Sequence, residues 1–266
     1  MKAKTTMKTI ALTALALAAG CRCGESCSRS EIRLMSYNVH HCEGADGKID
    51  YGRIADNILR ERPDFAGLQE LDRMAERSGK MDQPAELGRL TGMHATYAKA
   101  IPLQGGSYGV ALLSREKPLS VVRVPLPGKE PRVLLLCEFE DCWAGTTHLS
   151  LQSENRLKSA KIIRDVLNSK TSGKPVFLTG DWNAKPGSDE LSEFRGYLRI
   201  LSPEKSRTYN GFKKPAPGSE YCIDYIAVDS CSASRFSVRD ASVGDDMISS
   251  DHNPVVVSVE VRCVQK

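Results

Sequence analysis

Thr179-Gly180-Asp181-Trp182-Asn183-Ala184 is the stretch on which the reading of this chain turns. Val176, Phe177 and Leu178 precede it behind Pro175, a short apolar run that predicts a buried strand. Gly180 frees the backbone to turn, and Asp181 and Asn183 follow two residues apart. In extended geometry that spacing places a carboxylate and an amide side by side at the strand's end. An anionic and a neutral oxygen together suit a hard cation such as Mg2+, or a water positioned for attack. An Asx-rich turn leading into a helix near Ser188 accounts for the same residues on its own. The rest of the chain decides between the two.

The chain has 266 residues, room for one large α/β domain or two small ones. Its composition, 41% hydrophobic and 26% charged, is that of a soluble globular protein with a packed core. Residues 1–20 stand apart: Lys2, Lys4 and Lys8 precede the apolar run 10–19, which is too short to span a bilayer permanently. A basic head, a short apolar stretch and a small-residue exit describe an export signal. The exit, Leu17-Ala18-Ala19-Gly20-Cys21, resembles the bacterial lipoprotein processing site, which implies cleavage before Cys21 and lipidation of that cysteine. Ala18 stands where that pattern more often has leucine, so plain cleavage stays open. The expected location is the periplasm or, through peripheral lipid attachment, the cell envelope.

Loss of the three leader lysines takes the formal charge from +4 to +1, which leaves no global basic footprint for nucleic acid. Nine cysteines minus a lipidated Cys21 leave eight, an even number in an exported chain where disulfides persist. Cys137–Cys142 and Cys222–Cys231 are the nearest pairs by sequence, and at least one disulfide is expected. No CxxC or paired Cys/His spacing supports the rival zinc reading.

Residues 21–30 read as a polar tether and 31–266 as one catalytic domain, without repeats or a later linker. Strands are expected at 32–37, 65–68, 97–100, 110–114, 119–124, 133–139, 143–147, 176–178, 223–228, 236–238 and 255–261. A first helix is capped by Asp50, carries an apolar stripe of Ile54, Ile58 and Leu59, and stops at Pro63. A second runs over 84–90 with Asp82 or Gln83 near its cap and Gly92 beyond its end. A third spans 154–167 on a face of Leu157, Ile162, Ile163 and Val166. Strands outnumber helices, and many are joined too tightly for parallel crossovers. An α+β sandwich of mixed or antiparallel sheets with helices outside follows.

Six apolar strands carry a polar cluster at one end: Ser36-Tyr37-Asn38, Gln69-Glu70, Thr146-Thr147-His148, Gly180-Asp181-Trp182-Asn183, Ile223-Asp224-Tyr225 and, before the last strand, Ser250-Asp251-His252-Asn253-Pro254. Burying a lone charge is expensive, so carboxylates at so many strand ends imply one convergent site between sheets. The six motifs, in this order from residue 32 to the C-terminus, resemble the endonuclease/exonuclease/phosphatase superfamily. The resemblance implies a four-layer α/β/β/α sandwich of two mixed sheets flanked by helices, with the site at one edge. It places Asn38, Glu70 and Asp251 at metal-binding positions, and Asp181 and Asn183 at the pair that handles the attacking water, the phosphate or a second metal. Asp224 and His252 match the carboxylate–imidazole pair, His148 the first histidine, and Arg132 a phosphate-facing cation found in some relatives.

The chemistry calls for these types. A phosphodiester is anionic, so the attacking oxygen must lose a proton and the charge gathering on phosphorus must be offset. Mg2+ at Glu70 and Asn38, with Mn2+ or Ca2+ as substitutes, suits the second task. His252, oriented by Asp224, is one candidate for the base and Asp181 the other. In deoxyribonuclease I-type members a glutamate supports the first histidine from a strand that aligns near Ser107-Tyr108-Gly109, where this chain has no acid. The resemblance therefore implies that His148 donates a hydrogen bond to a non-bridging oxygen rather than acting as general acid. Asp72, Arg77 and Asp82 read as a solvated charged loop, His40 and His41 as surface residues, and Trp182 as an apolar wedge.

The expected activity is that of a metal-dependent phosphoester hydrolase, a phosphodiesterase or nuclease, acting on nucleic acid, phospholipid or a small organophosphate. A phospholipid or inositol-phosphate head-group hydrolase is the nearest alternative, and a non-catalytic binding module on the same fold the more distant one. No protein partner is implied, and a monomer is expected.

Overall fold

The computed structural model describes residues 31–171, 173–214 and 220–262. The export signal, the tether and Cys21, Cys23, Cys27 and Cys263 lie outside these residues. Among the described residues no helix is long and apolar enough to cross a membrane.

Twelve strands fold into two six-stranded sheets. The first joins β1 (Glu31–Asn38), β2 (Phe65–Arg73), β3 (His94–Leu103), β4 (Gly106–Ser114), β11 (Phe236–Val243) and β12 (Val255–Val261) in the order β11-β12-β1-β2-β4-β3. The second joins β5 (Ser120–Leu126), β6 (Arg132–Glu138), β7 (Trp143–His148), β8 (Val176–Asp181), β9 (Leu198–Ile200) and β10 (Asp224–Asp229) in the order β5-β6-β7-β8-β10-β9. Each sheet carries one parallel pair at its centre, β1 with β2 and β7 with β8, and is otherwise antiparallel. The short strand β9 has no apolar run of its own to announce it. The mixed four-layer sandwich agrees with the sequence reading.

Alternation builds the layers. On β1, Ile32 and Leu34 enter the core between the sheets, while Met35 and Tyr37 pack outward against α1 (Tyr51–Glu61) and α2 (Gln83–Thr91). On β8, Phe177 points inward while Val176 and Leu178 meet the layer of α3 (Ser153–Lys170) and α4 (Asp189–Arg195). The helix signals hold at the caps: Asp50 accepts from the Arg53 N–H, Asp82 from Ala85, and Ser188 from Leu191. The stripes shift by a position. Leu59 is exposed, and Ala55 takes its place beside Ile54 and Ile58. On α3 the buried set is Ser159, Ala160, Ile163 and Leu167, with Ile162 and Val166 only partly covered.

Two glycines permit close approach. A Cβ on Gly67 of β2 would collide with the Thr179 and Thr146 hydroxyls of the opposite sheet, so the two layers touch there with no side chain between. A Cβ on Gly180 would strike the Thr147 carbonyl and the Trp182 ring. Trp182 is fully buried, stacked on Phe194 at 4.4 Å and against Tyr225 at 5.0 Å, as an apolar wedge should be.

Among the described residues neither of the two nearest pairs, Cys137–Cys142 or Cys222–Cys231, is joined by a disulfide. Cys137 faces Ala144 across the ladder and Cys142 lies beyond it against Phe139, a diagonal placement outside disulfide reach. Cys222 and Cys231 flank the two ends of the six-residue strand β10, on the order of 20 Å apart.

Candidate active site

β1, β2, β7 and β8 all end at one pole of the sandwich, where β10 and β12 begin, so their polar termini meet. Asp181 closes β8 opposite Asp224, the first residue of β10, and beside His148, the last of β7. Asn38 arrives from the other sheet and donates through Nδ2 to Glu70 Oε1 at 2.9 Å and Asp181 Oδ2 at 3.1 Å. Its Oδ1 accepts from the His40 N–H at 3.1 Å. Asn38 therefore presents its amino group, not its oxygen, to the carboxylates.

His252 is fastened from three directions. Its Nδ1 lies 2.9 Å from Asp224 Oδ2, its backbone N–H donates to Ser250 Oγ at 3.2 Å, and Tyr209 packs edge-on against the ring at 5.0 Å. Ser250 in turn donates to the Asn38 carbonyl at 2.7 Å, and Thr208 Oγ1 accepts from the Ile223 and Asp224 amides. Sequence reading missed Thr208 and Tyr209, which sit in a loop without a motif. Ser250 had a signal in its place two residues before His252, where a serine hydroxyl caps the following turn.

Nε2 of His252 stands 3.7 Å from Asp181 Oδ2, and Nε2 of His148 stands 3.5 Å from the same oxygen. Asp181, Asp224, His148 and His252 are all buried. Burial and then the Asp224 charge push the Asp181 carboxyl well above the usual carboxylate range. Burial opposes the charged form of His252, but Asp224, Asp181 and Asp251 outweigh it and raise the imidazole to about 10. His148 moves the other way, well below its ordinary value, through burial and the Arg132 and His252 charges.

His148 Nδ1 and, on the arginine whose charge acts on it, Arg132 Nε are buried donors without a partner. Arg132, at the head of β6, is 7% exposed and has Nη1 at 2.7 Å from Glu130 Oε1. Its charge acts on the neighbouring His148.

Two expectations are corrected. Gln69-Glu70 does not end its strand; β2 runs on to Arg73 through a break in register between Leu68 and Leu71. Glu70 takes φ +63° at that bulge, which turns its carboxylate out of the ladder to meet Asn38. The Asn183 side-chain amide is not paired with the Asp181 carboxylate. The chain leaves extended geometry, Asn183 adopts φ +50°, its N–H donates to Asp181 Oδ1 at 2.9 Å, and its side chain donates to the Leu149 carbonyl at 3.0 Å. It anchors the turn.

The donor set fits a divalent cation. Glu70 is fixed against Asn38 at 2.9 Å, and Asp251 Oδ1 is buried without a partner, an oxygen donor still to be used. Asp181, Asp224 and His252 also converge, with one candidate ligand atom of each within 4.8 Å of the others.

The family model described as "Endonuclease/Exonuclease/phosphatase family" matches residues 35–252. An endonuclease/exonuclease/phosphatase from Beutenbergia cavernae DSM 12333 aligns with TM-score 0.71 and 25% identity over 88% of this chain and 72% of its own. The mannosyl-6-phosphatase of Bacteroides thetaiotaomicron VPI-5482 shares the fold at TM-score 0.65 and 20% identity, covering 86% of this chain and 99% of that one. D. rerio TDP2, solved with a single strand DNA product, does so at TM-score 0.67 and 18% identity over 88% and 100%. No curated protein sequence matches the chain. The match covers all six polar strand ends from β1 to His252, and the chain belongs to the endonuclease/exonuclease/phosphatase family.

Proposed function

We propose that this protein is a Mg2+-dependent phosphoester hydrolase, a phosphodiesterase in the first instance, held at the bacterial cell envelope through a lipidated Cys21. The observation that carries the reading is a single oxygen, Asp181 Oδ2, ringed by Asn38, His148 and His252 at 3.1–3.7 Å, with the unpartnered donors of Arg132 alongside. That is a place where a water can lose its proton while donors wait for the charge formed on phosphorus.

Asp181 takes the proton from the attacking water, its carboxyl being lifted toward that task by burial. The new bond forms between the water oxygen and phosphorus, and the ester P–O bond breaks with its electron pair on the leaving oxygen, which takes up a proton from solvent. His252, kept as an imidazolium by Asp224, donates from Nε2 to a phosphoryl oxygen as negative charge grows. Neutral His148 and cationic Arg132 donate to the remaining oxygens. Mg2+ at Glu70 and Asp251, when bound, supplies further charge to offset the phosphate. The role of base thus passes from His252, the first candidate on sequence grounds, to Asp181.

The formal charge of +1 after leader removal favours a small or surface phosphoester over a nucleic acid polymer. The test is hydrolysis of bis-p-nitrophenyl phosphate by the mature domain with Mg2+ and with chelator, followed by plasmid DNA, RNA, inositol phosphates and phospholipids. Chelator-sensitive turnover is expected. No turnover of any of these with Mg2+, Mn2+ or Ca2+ would leave a binding module as the reading.

A further inference from the structure

A second charged assembly follows Glu70 directly along the chain, where the sequence suggested a solvated loop. Asp72 lies on β2 beyond the bulge and is fully buried. Arg77 grips it from the following turn, Nε to Oδ2 and Nη2 to Oδ1, both at 2.8 Å. Such a bidentate pair fixes the plane of the guanidinium. The Arg77 backbone N–H donates to Gln104 Oε1 at 2.8 Å, and its guanidinium carbon stands 5.7 Å from the centre of the Tyr108 ring. Tyr108 is itself the cross-strand partner of Asp72. The arginine head is held by side chain, backbone and ring together, yet Arg77 remains 33% exposed and Nη1 takes no part in the pair.

The assembly is electrostatically coupled to the phosphate donors. The Tyr108 hydroxyl lies in the field of both Glu70 and Arg132. Arg77 is in turn acted on by Tyr108 and Glu70. The Tyr108 phenol, stacked under Arg77 and paired across the ladder with Asp72, thus carries the open guanidinium edge toward the side of the site that holds Glu70 and Arg132. A tie that served only to pin the turn to β2 would be complete with Asp72 and Gln104. Rigid, planar, partly exposed guanidinium edges suit the recognition of carboxylate and phosphate oxygens.

We propose that Arg77, together with the Tyr108 hydroxyl, holds a second oxyanion of the substrate, a carboxylate or further phosphate, beside the scissile phosphoester. This rests on the phosphoester reading of the site and narrows it to small phosphoesters that carry more than one anionic group.

The probes are 3-phosphoglycerate and glycerol 3-phosphate, which share a phosphate monoester and differ in carboxylate against hydroxymethyl. Each is measured as a competitor of bis-p-nitrophenyl phosphate and, without turnover, as a shift in melting temperature with Mg2+ present. The intact protein should prefer 3-phosphoglycerate by roughly tenfold or more, the worth of a charge-assisted pair. Arg77→Gln should bring that ratio toward one, and Arg77→Lys should recover part of it. Tyr108→Phe leaves the Asp72–Arg77 pair in place and should lower the ratio several-fold, which keeps the test open if Arg77→Gln fails to fold. Equal binding of the two probes by the intact protein, or an unchanged preference in Tyr108→Phe and Arg77→Lys, overturns the subsite. A protein that turns nothing over, yet shows selective stabilisation lost in Arg77→Gln, keeps the subsite and sinks the hydrolase reading. An active protein without selectivity does the reverse.

Discussion

Asp72 and Asp181 are both buried carboxylates at the same pole, and they are compensated in opposite ways. Asp72 receives both of its oxygens' bonds from one guanidinium in plane, at 2.8 Å each. Asp181 Oδ2 has only an amide at 3.1 Å and two imidazoles at 3.5 and 3.7 Å. The first charge is committed to holding a turn and an arginine. The second is left with open hydrogen-bonding capacity, and burial with the Asp224 charge shifts its carboxyl upward while the imidazole beside it is held toward its protonated form. Burial alone therefore does not mark a working carboxylate; an unfinished set of partners does.

The comparison breaks most visibly in the rate. His252→Ala should lose roughly 10²–10⁴-fold in hydrolysis of bis-p-nitrophenyl phosphate at saturating Mg2+. The pH–rate profile carries the finer content. With Asp181 as base, activity rises on an acidic limb displaced upward from an ordinary carboxylate. With His252 needed as imidazolium, it falls on an alkaline limb near pH 10. His252→Ala should abolish the alkaline limb and keep the acidic one; the opposite pattern would return the role of base to His252. Glu70→Gln comes next, with at least a tenfold loss at fixed Mg2+ that excess metal partly restores, since a ligand is lost without loss of volume. Wild-type metal dependence in this variant would remove Glu70 from the cation's neighbourhood.

Smaller effects fall on stability, where the Asp72 side of the comparison is tested. Arg77→Met strands a buried charge and should cost about 2–3 kcal/mol in denaturant unfolding, at the low end for broken buried pairs because Arg77 is partly exposed. Asp72→Leu combined with Arg77→Met should recover most of that loss. If the single variant is neutral, the pair is not the tie described here. The least effect is on melting of the metal-free protein above neutral pH. The folded state raises the His252 pKa, so its stabilisation is full below about pH 6.5 and is lost as pH climbs through about 10. Melting should drop by a few degrees over that window and by less in His252→Ala.

The strand ends were legible because period-two apolar runs stop sharply, and a polar residue after such a run has few places to go. Asn38, His148, Asp181, Asp224 and His252 were found that way and do converge. The caps at Asp50, Asp82 and Ser188 were legible for a similar reason, being local hydrogen bonds between residues three apart. What failed depends on partners distant in sequence. The bulge that aims Glu70 exists only in the register of β2 against β4, and nothing in Gln69-Glu70 announces it. Asp72 and Arg77 look like surface charges until β4 brings Tyr108 over them. Asn183 was misplaced because extended geometry was carried two residues past the end of β8. The cysteine count invited pairing, but an even number says nothing about which faces the thiols occupy.

The contact at Gly67 has a bearing on rate that no active-site residue expresses. Asn38 and Glu70 belong to one sheet, and Asp181, Asp224 and His148 to the other. Gly67 sits one turn of the pleat below Gln69 on β2, where the backbone rests against the Thr146 and Thr179 hydroxyls. That seam works as a feeler gauge: the gap between the two halves of the site is set by bare backbone against two threonines. A methyl inserted there, as in Gly67→Ala, is a shim that prises the leaves apart and lengthens the Asn38–Asp181 bond without touching either residue. Catalytic spacing in this protein is thus a property of the interlayer gap, and a mutation in its dry interior can detune the chemistry as surely as one in the cleft.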